Sequence, residues 1–298
     1  MSRSHPAQPC RSVLYIPASR ERALEKARDL ACDAIIFDLE DAVAPEEKPA
    51  ARDLLARVLA EADYGTRLKL VRINGFDTEW GREDAAAMAR AIAAGAKIDA
   101  LLVPKVSTPA DLDAVAAVAP GVSLWAMMET CAGMLNAAAI AAHPQLRGMV
   151  MGTNDLAKEL GSRFRPDRLP MQAGLGLCLL AARAYGLAIV DGVYNAFRDD
   201  EGLRAECEQG RDMGFDGKTL IHPAQLDIAN AAFAPSEAEL DLARRQIAAF
   251  DEVMAAGGGV AVVDGRIVEN LHIVTARTLL EKDAAIRAAA IGALALAG

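Results

Sequence analysis

Glu129 and Asp155 are the residues whose type and position most directly indicate chemistry. Each follows a short apolar run, residues 123–127 for Glu129 and 149–151 for Asp155, and an alanine-rich segment separates the two runs. Such runs, joined by a helix-like segment, predict two parallel strands whose carboxyl ends lie on one face. Two carboxylates at one site repel each other unless a cation, a proton or an arginine compensates. The pair therefore predicts a Mg²⁺ site, whereas each acid alone is explained equally well by a helix N-terminus.

Similar apolar runs recur along the chain and alternate with segments that have helical spacing. The runs lie at residues 13–16, 34–37, 68–73, 100–103, 123–127, 149–151, 187–190 and 219–221. Eight strand–helix units in roughly 210 residues predict an α/β fold, the (β/α)8 or TIM barrel, whose functional residues lie at the carboxyl ends of the strands. A doubly wound open sheet is the alternative. No strand is followed by a dinucleotide-binding glycine motif or a P-loop.

Charged or amide side chains stand at almost every predicted strand end. They are Arg20, Asp38, Glu40, Asp41, Arg72, Asn74, Lys105, Glu129, Asn154, Asp155, Asp191 and His222. A rim of acids, cations and one metal suits an anionic, oxygen-rich substrate. His222 precedes Pro223 and is expected to be a structural hydrogen bonder, whereas Lys105 and Asp191 could either support the site or pack the barrel.

The sequence predicts three segments. Residues 1–10 are expected to be a disordered lead-in, residues 11–225 the barrel, and residues 226–298 a C-terminal helical and hairpin appendage. The appendage contains an amphipathic helix that Ser236 caps, three glycines and a hairpin with an Asp264-Gly265 turn. The glycine run allows this appendage to act as a lid or as an oligomerisation arm.

Composition restricts the partners. The chain has 298 residues, 53% of them hydrophobic, and a net charge of −9, which argues against nucleic acid or an anionic membrane as a partner. Local cations or a metal must therefore hold an anionic substrate. The five cysteines show no C-x-x-C spacing, no cleavable signal is evident, and the apolar runs are too short to cross a bilayer. These features predict a cytoplasmic protein with reduced thiols.

Seven motifs together carry a resemblance to a known family. They are RSVLYIPASR (11–20), DLEDAV (38–43), VRIN (71–74), PKV (104–106), M-E-T (128–130), GTNDLA (152–157) and GKTLIHP (217–223). In this order the chain resembles the HpcH/HpaI aldolase and citrate lyase β-subunit family, specifically the acyl-CoA lyase branch with malyl-, citramalyl- and citryl-CoA lyases. The resemblance covers residues from about 11 to 279.

The resemblance implies a carbon–carbon lyase that requires Mg²⁺, with Mn²⁺ as an alternative. Such an enzyme cleaves or forms a 3-hydroxy-dicarboxylic acyl-CoA thioester from an acyl-CoA and a keto-acid, with coenzyme A as part of the substrate. A homotrimer or homohexamer is also implied. By the same resemblance Glu129 and Asp155 are the metal ligands, Arg72 faces the thioester oxygen, and the coenzyme A nucleotide is held by Tyr15, Arg20 and Lys26.

Other acids and cations receive supporting roles. Asp38, Glu40 and Asp41 are expected to orient Arg72 or metal-bound water, and Lys105 is placed with them. The lyases use an aspartate of the C-terminal segment, usually from a neighbouring subunit, to transfer a proton at carbon, and Glu269 occupies that position here. Glu269 is therefore the predicted catalytic acid or base. The alternatives are that Glu269 is a surface acid in a protein with an altered reaction, or that Asp264 in the hairpin turn takes the role. One extra methylene moves the carboxylate by about an ångström, a displacement that can lower the rate about 10²-fold.

Three other functions are compatible with the same residues. A thioesterase would use water to hydrolyse the same ester. A citrate-lyase-type subunit would be active only within a larger complex that contains an acyl carrier. An aldolase that acts on free keto-acids would not need the cations proposed to bind coenzyme A.

Overall fold

The computed structural model describes residues 8–296, so most of the predicted lead-in (1–10) lies outside the described residues. The described chain forms two compact units, Cys10–Phe233 and Ala234–Leu296. The division between them follows a helix, Leu226–Phe233, which packs against the last strand and the last long helix of the first unit.

The first unit is a closed barrel of eight parallel strands. Neighbouring strands pair in chain order, and the barrel closes between the first and last strands, where Ser12 pairs with Lys218 and Leu14 with Leu220. This closure confirms the TIM barrel and excludes the open sheet. The strands are β1 (Ser12–Pro17), β2 (Ala34–Asp38), β3 (Leu68–Arg72), β4 (Ala100–Val103), β5 (Leu124–Met128), β6 (Leu146–Met151), β7 (Ala188–Asp191) and β8 (Gly217–Leu220).

Helices follow the strands and cover the outside of the barrel. They are α1 (Glu21–Lys26), α2 (Lys48–Glu61), α3 (Gly81–Ala93), α4 (Pro109–Val118), α5 (Cys131–Leu135), α6 (Ala137–Ala141), α7 (Thr153–Glu159), α8 (Gln172–Tyr185), α9 (Asp200–Met213) and α10 (Leu226–Phe233). None of the helices described combines the length and apolar character that a membrane span needs.

Side chains of each strand alternate between the barrel interior and the layer under the helices. Ile36, Leu70, Trp125 and Val150 belong to the interior cluster, and their immediate neighbours belong to the larger cluster between sheet and helices. This period of two determines which residues at a strand end face the interior. The interior is tightly filled, because a Cβ on Gly148 would lie 2.5–2.6 Å from ring atoms of Trp125.

The second unit contains helix α11 (Glu237–Ala255), strands β9 (Ala261–Val263) and β10 (Arg266–Val268), and helix α12 (Asn270–Leu296). Ser236 and Glu239 form the capping box that begins α11. The hairpin turns at Asp264 and Gly265, both with positive φ, as the Asp-Gly sequence predicts. Whether this unit is a lid or an oligomerisation arm stays a prediction.

Gly148→Ala is expected to destabilise the barrel, because its methyl group overlaps the buried indole of Trp125. Overpacking of this kind typically costs about 1–3 kcal/mol, which urea unfolding will measure. Gly176→Ala in α8 is the matched control, since a Cβ there meets no atom within 4 Å and alanine favours helix. An equal or higher stability of Gly148→Ala would contradict the tight packing of the barrel interior.

Candidate active site

A cavity of about 340 Å³ opens at the carboxyl ends of the strands. This is the end at which TIM barrels carry their functional residues. Acids and Arg72 occupy one part of the wall, and methionines and aliphatic side chains occupy another. The lining residues are Tyr15, Pro17, Asp38, Asp41, Ala42, Arg72, Met127, Glu129, Met151, Gly152, Thr153, Asn154, Asp155, Val193, Asn195 and Ile221.

Glu129 directly follows β5, and its carboxylate is almost fully buried, with 2% of the residue exposed. Its Oε1 accepts a hydrogen bond of 2.8 Å from the backbone N–H of Lys105. On the other side the absence of a side chain at Gly152 makes room for the carboxylate, since a Cβ there would lie 2.3 Å from Oε2. Burial, and next the negative charge of Glu40, raise the pKa of Glu129 to about 7.

Asp155 lies in the first turn of α7 and lines the same cavity. Its negative charge is one of the influences that raise the pKa of Glu129. The structure therefore brings together the two carboxylates that the sequence predicted as metal ligands. Within the described residues no group of three or more histidine, cysteine, aspartate or glutamate side chains is arranged to hold a metal.

This donor set fits Mg²⁺. Two carboxylates leave room for water and substrate oxygens in an octahedral shell, as Mg²⁺ prefers, whereas structural zinc takes four protein ligands. Mn²⁺ accepts the same oxygen ligands. A divalent cation would also stabilise the charged form of the buried Glu129 carboxylate, which burial and the charge of Glu40 disfavour.

Arg72 is the last residue of β3, and its guanidinium is held by three carboxylates. Nε and Nη2 donate to the two oxygens of Asp38 at 2.7 and 2.6 Å. Nη1 lies 2.9 Å from Glu40 Oε2 and 3.2 Å from Asp41 Oδ2. The guanidinium carbon is 5.0 Å from the centre of the Tyr15 ring. The surrounding negative charge, led by Asp38, raises the pKa of Arg72 and keeps it charged despite its burial.

Lys105 connects this ion-pair group with Glu129. Its backbone N–H donates a hydrogen bond to Glu129 Oε1, and its Nζ lies 2.7 Å from Glu40 Oε1. The residue has a left-handed φ of 51°, which only two other non-glycine residues in 8–296 share. Such a conformation typically costs about 1–3 kcal/mol and is found most often at functional sites. The sequence had left open whether Lys105 supports the site or packs the barrel, and these contacts place it beside the site.

The residues predicted to bind coenzyme A lie in different places. Tyr15 lines the cavity next to Arg72, and its hydroxyl is 3.5 Å from the sulfur of Met127. Arg20 precedes α1 and Lys26 ends it; both are exposed and neither lines the cavity. Glu269 is exposed in the second unit, where its N–H donates to His272 Nδ1. The roles given to these residues stay predictions.

Two residues at the predicted strand ends have structural roles. Asp191 is fully buried in the layer under the helices, where it pairs with Arg168 at 2.7 Å and Lys218 at 3.1 Å. His222 accepts a hydrogen bond from the backbone N–H of Ala224 and so caps a short helical turn, as predicted.

The sequence analysis placed Asn154 at a strand end but missed its partner in the wall, Asn195. Asn154 in the first turn of α7 and Asn195 in the loop after β7 exchange two amide hydrogen bonds of 3.2 and 2.8 Å. It also missed the apolar part of the wall formed by Met127, Met151, Val193 and Ile221. Met127 could have been predicted to face the cavity, because it alternates with Trp125 on β5 and with Glu129 just after it. Nothing in the sequence pairs Asn195 with Asn154.

A model of the family HpcH/HpaI aldolase/citrate lyase matches residues 11–223. The chain belongs to this family. Its members include enzymes named as lyases and as thioesterases, so the chain belongs to an enzyme family.

Within the HpcH/HpaI family the chain is 74% identical to (3S)-malyl-CoA thioesterase of Cereibacter sphaeroides, over 96% of this chain and 98% of the relative. It is 32% identical to L-malyl-CoA/beta-methylmalyl-CoA lyase of the same species, over 93% and 95%. A crystal structure of CitE from Mycobacterium tuberculosis with magnesium, acetoacetate and coenzyme A matches with a TM-score of 0.76 and 30% identity, over 94% of this chain and all of that chain.

Glu129→Gln is expected to stabilise the metal-free protein at pH 8 but hardly at pH 5. With a folded-state pKa of about 7, above the ordinary 4.5, Glu129 favours folding while protonated, and this contribution is lost as the pH rises through 7. The gain at pH 8 is on the order of 3 kcal/mol. Urea unfolding in EDTA at both pH values measures it.

Glu208→Gln, which alters an exposed carboxylate of α9, is the control and should show no such dependence. Equal effects of Glu129→Gln at the two pH values would contradict the burial of an ionisable group at this site.

Proposed function

We propose that this protein is a Mg²⁺-dependent thioesterase that hydrolyses a 3-hydroxy-dicarboxylic acyl-CoA, with (3S)-malyl-CoA as the leading candidate. The observation that carries the proposal is the contrast in identity: 74% to a relative named a thioesterase and 32% to one named a lyase, both over more than nine-tenths of the chain. Carbon–carbon cleavage, the first prediction from the sequence, is the second candidate, because family members named as lyases match over nearly the whole chain.

With a divalent cation bound, the cavity would suit an anionic hydroxyacyl substrate. We assign Glu129 and Asp155 as the ligands of Mg²⁺, and the acyl group to the space between them and Arg72. Bound Mg²⁺ would supply Lewis-acid polarisation and charge neutralisation at the substrate oxygens. With about 340 Å³ the cavity has room for a four-carbon acyl group but not for a nucleotide as well.

Arg72 is assigned to the thioester oxygen. Hydrolysis adds water to the thioester carbon, the C–S bond then breaks, and the thiol of coenzyme A leaves with a proton. Negative charge develops on the carbonyl oxygen in this reaction, and a fixed guanidinium stabilises it most where water is excluded. Three hydrogen bonds to Asp38 and Asp41 fix the Arg72 plane, so its orientation is set before the substrate binds.

The replacement at position 269 agrees with hydrolysis. Cleavage of the carbon–carbon bond leaves an enolate that must be protonated at carbon, and the lyase branch assigns an aspartate to this step. Hydrolysis forms no such enolate, and so it does not require a carboxylate at that distance. Glu269 stands in the C-terminal segment instead of the aspartate.

Product identification separates the two candidates. We expect purified protein with Mg²⁺ and malyl-, citramalyl- or citryl-CoA to release free coenzyme A and the hydroxy acid, malate from malyl-CoA. Mass spectrometry identifies the products.

EDTA should abolish turnover, and Asp155→Asn should raise the Mg²⁺ concentration needed for half-maximal rate at least about tenfold, because one of two carboxylate ligands loses its charge.

Acetyl-CoA and glyoxylate from malyl-CoA would establish the lyase instead. Turnover that is indifferent to EDTA would show that the metal assignment is wrong. Little turnover of free esters, rescued by an acyl carrier protein, would indicate a subunit of a larger complex.

The nucleotide of coenzyme A is assigned to Arg20 and Lys26, whereas Tyr15 lines the cavity itself. The Arg20→Ala/Lys26→Ala double variant should raise KM for the CoA ester at least about tenfold and leave kcat nearly unchanged, since two charge-assisted hydrogen bonds to phosphate are lost. Steady-state kinetics at low salt measures both constants.

Arg22→Ala is the matched control, because Arg22 is an exposed arginine of the same short helix. An unchanged KM in the double variant, or an equal rise in the control, would remove the helix from the coenzyme A site.

A further inference from the structure

We propose that Lys105 is the positioning residue that couples the two halves of the site, holding the metal carboxylate through its backbone and Arg72 through its side chain. The inference rests on the proposed function, since it assumes that Glu129 and Arg72 act on the same substrate. It assigns Lys105 two separate contacts, and side-chain substitutions remove one of them while the backbone contact stays.

The backbone contact depends on an unusual conformation. Lys105 lies two residues beyond β4, and its φ of 51° accompanies an N–H directed at Glu129 Oε1, 2.8 Å away. L-residues avoid this region because Cβ crowds the carbonyl oxygen, and glycine adopts it readily. A lysine is therefore an unfavourable choice for the turn alone, which indicates that its side chain has a separate role.

The side-chain contact begins a chain of alternating charges. Lys105 Nζ lies 2.7 Å from Glu40 Oε1, and the other oxygen of Glu40 lies 2.9 Å from Arg72 Nη1. Glu40 is buried, with 7% of the residue exposed, so its charge depends on these two cations. The backbone of the same loop is held independently, because the ammonium of Lys48 donates to the carbonyl oxygens of Leu39 and Glu40.

Loss of the Lys105 charge would thus act on Arg72 through Glu40. With one cation removed, Glu40 has only Arg72 as a partner and draws the Nη1 side of the guanidinium away from the substrate. The backbone N–H to Glu129 remains in such a variant. We therefore expect kcat to fall while Mg²⁺ affinity is largely kept, a separation that general loosening of the site would not produce.

Four variants test this. Lys105→Met should lower kcat at least fivefold, and Lys105→Arg, which retains the charge, should stay within threefold of the wild type. Lys105→Met/Glu40→Gln should turn over faster than Lys105→Met, because the unpaired carboxylate is gone. The control Lys97→Met removes an exposed lysine that precedes the start of β4, and it should leave kcat and Mg²⁺ affinity unchanged.

Lys105→Gly removes the side chain and places at this position the residue that adopts a left-handed φ most readily. It keeps the N–H and relieves the left-handed φ, so it should be more stable than Lys105→Met and show the same loss in kcat. Titration calorimetry of Mg²⁺ without substrate gives a readout independent of turnover, and Lys105→Met should bind Mg²⁺ less than fivefold more weakly than the wild type.

A loss in kcat below fivefold in both Lys105→Met and Lys105→Gly would overturn the proposal. So would a double variant as slow as Lys105→Met, or Mg²⁺ affinity lowered fivefold or more. Wild-type products identify the reaction separately, and the variant-to-wild-type ratios are measured on whichever product forms. Failure of the thioesterase assignment and failure of the Lys105 assignment are therefore distinguished.

Discussion

Five carboxylates and two cations meet at the mouth of the barrel, and the negative excess is the constraint on which the site depends. Asp38, Glu40, Asp41, Glu129 and Asp155 lie there with Arg72 and Lys105. Like charges about 4 Å apart repel by roughly 4 kcal/mol at the effective dielectric constant of a protein surface. Arg72 and Lys105 each pair with particular acids. Burial, and next the negative charge of Glu40, raise the pKa of Glu129 to about 7. Either a proton on Glu129 or a bound divalent cation would relieve the repulsion among these acids. Only the cation would also polarise a substrate.

The barrel is what makes this arrangement rigid. Asp38 and Arg72 end adjacent strands in register, with Asp38 directly beside Arg72 in the β2–β3 ladder. Their ion pair is therefore set by backbone hydrogen bonds on both sides and not by flexible loops. Glu129 follows β5 in the same way, and Gly152 after β6 gives its carboxylate space. A site built on strand ends keeps its geometry when the ligand is absent, which is what electrostatic stabilisation of a transition state requires.

The sequence predicted the strands from their apolar runs and the cavity acids from the strand ends. The period of two adds which residues at those ends face the interior. Asp38 and Arg72 share the parity of Ile36 and Leu70, which face the interior. Asp191 shares the parity of Ile189, which packs under the helices, so its burial away from the cavity could have been read from the same rule.

No comparable sequence pattern predicts the contacts that residues beyond the strand ends make with one another. The left-handed φ of Lys105 breaks a local preference, and the pairing of Asn154 with Asn195 joins residues 41 positions apart. Tertiary packing alone determines such features.

Cleavage and hydrolysis place similar demands on the residues of this cavity. Both polarise substrate oxygens at the two carboxylates, and both develop negative charge where Arg72 is assigned. The proposed metal ligands and the guanidinium therefore do not by themselves distinguish a lyase from a thioesterase, and relatives with either name match this chain. The distinction lies in the next step: a lyase must deliver a proton to carbon from a well-placed carboxylate, and a thioesterase must admit water to the thioester. The proposed hydrolysis depends only on the second requirement, so it needs no carboxylate from Glu269 in the C-terminal segment.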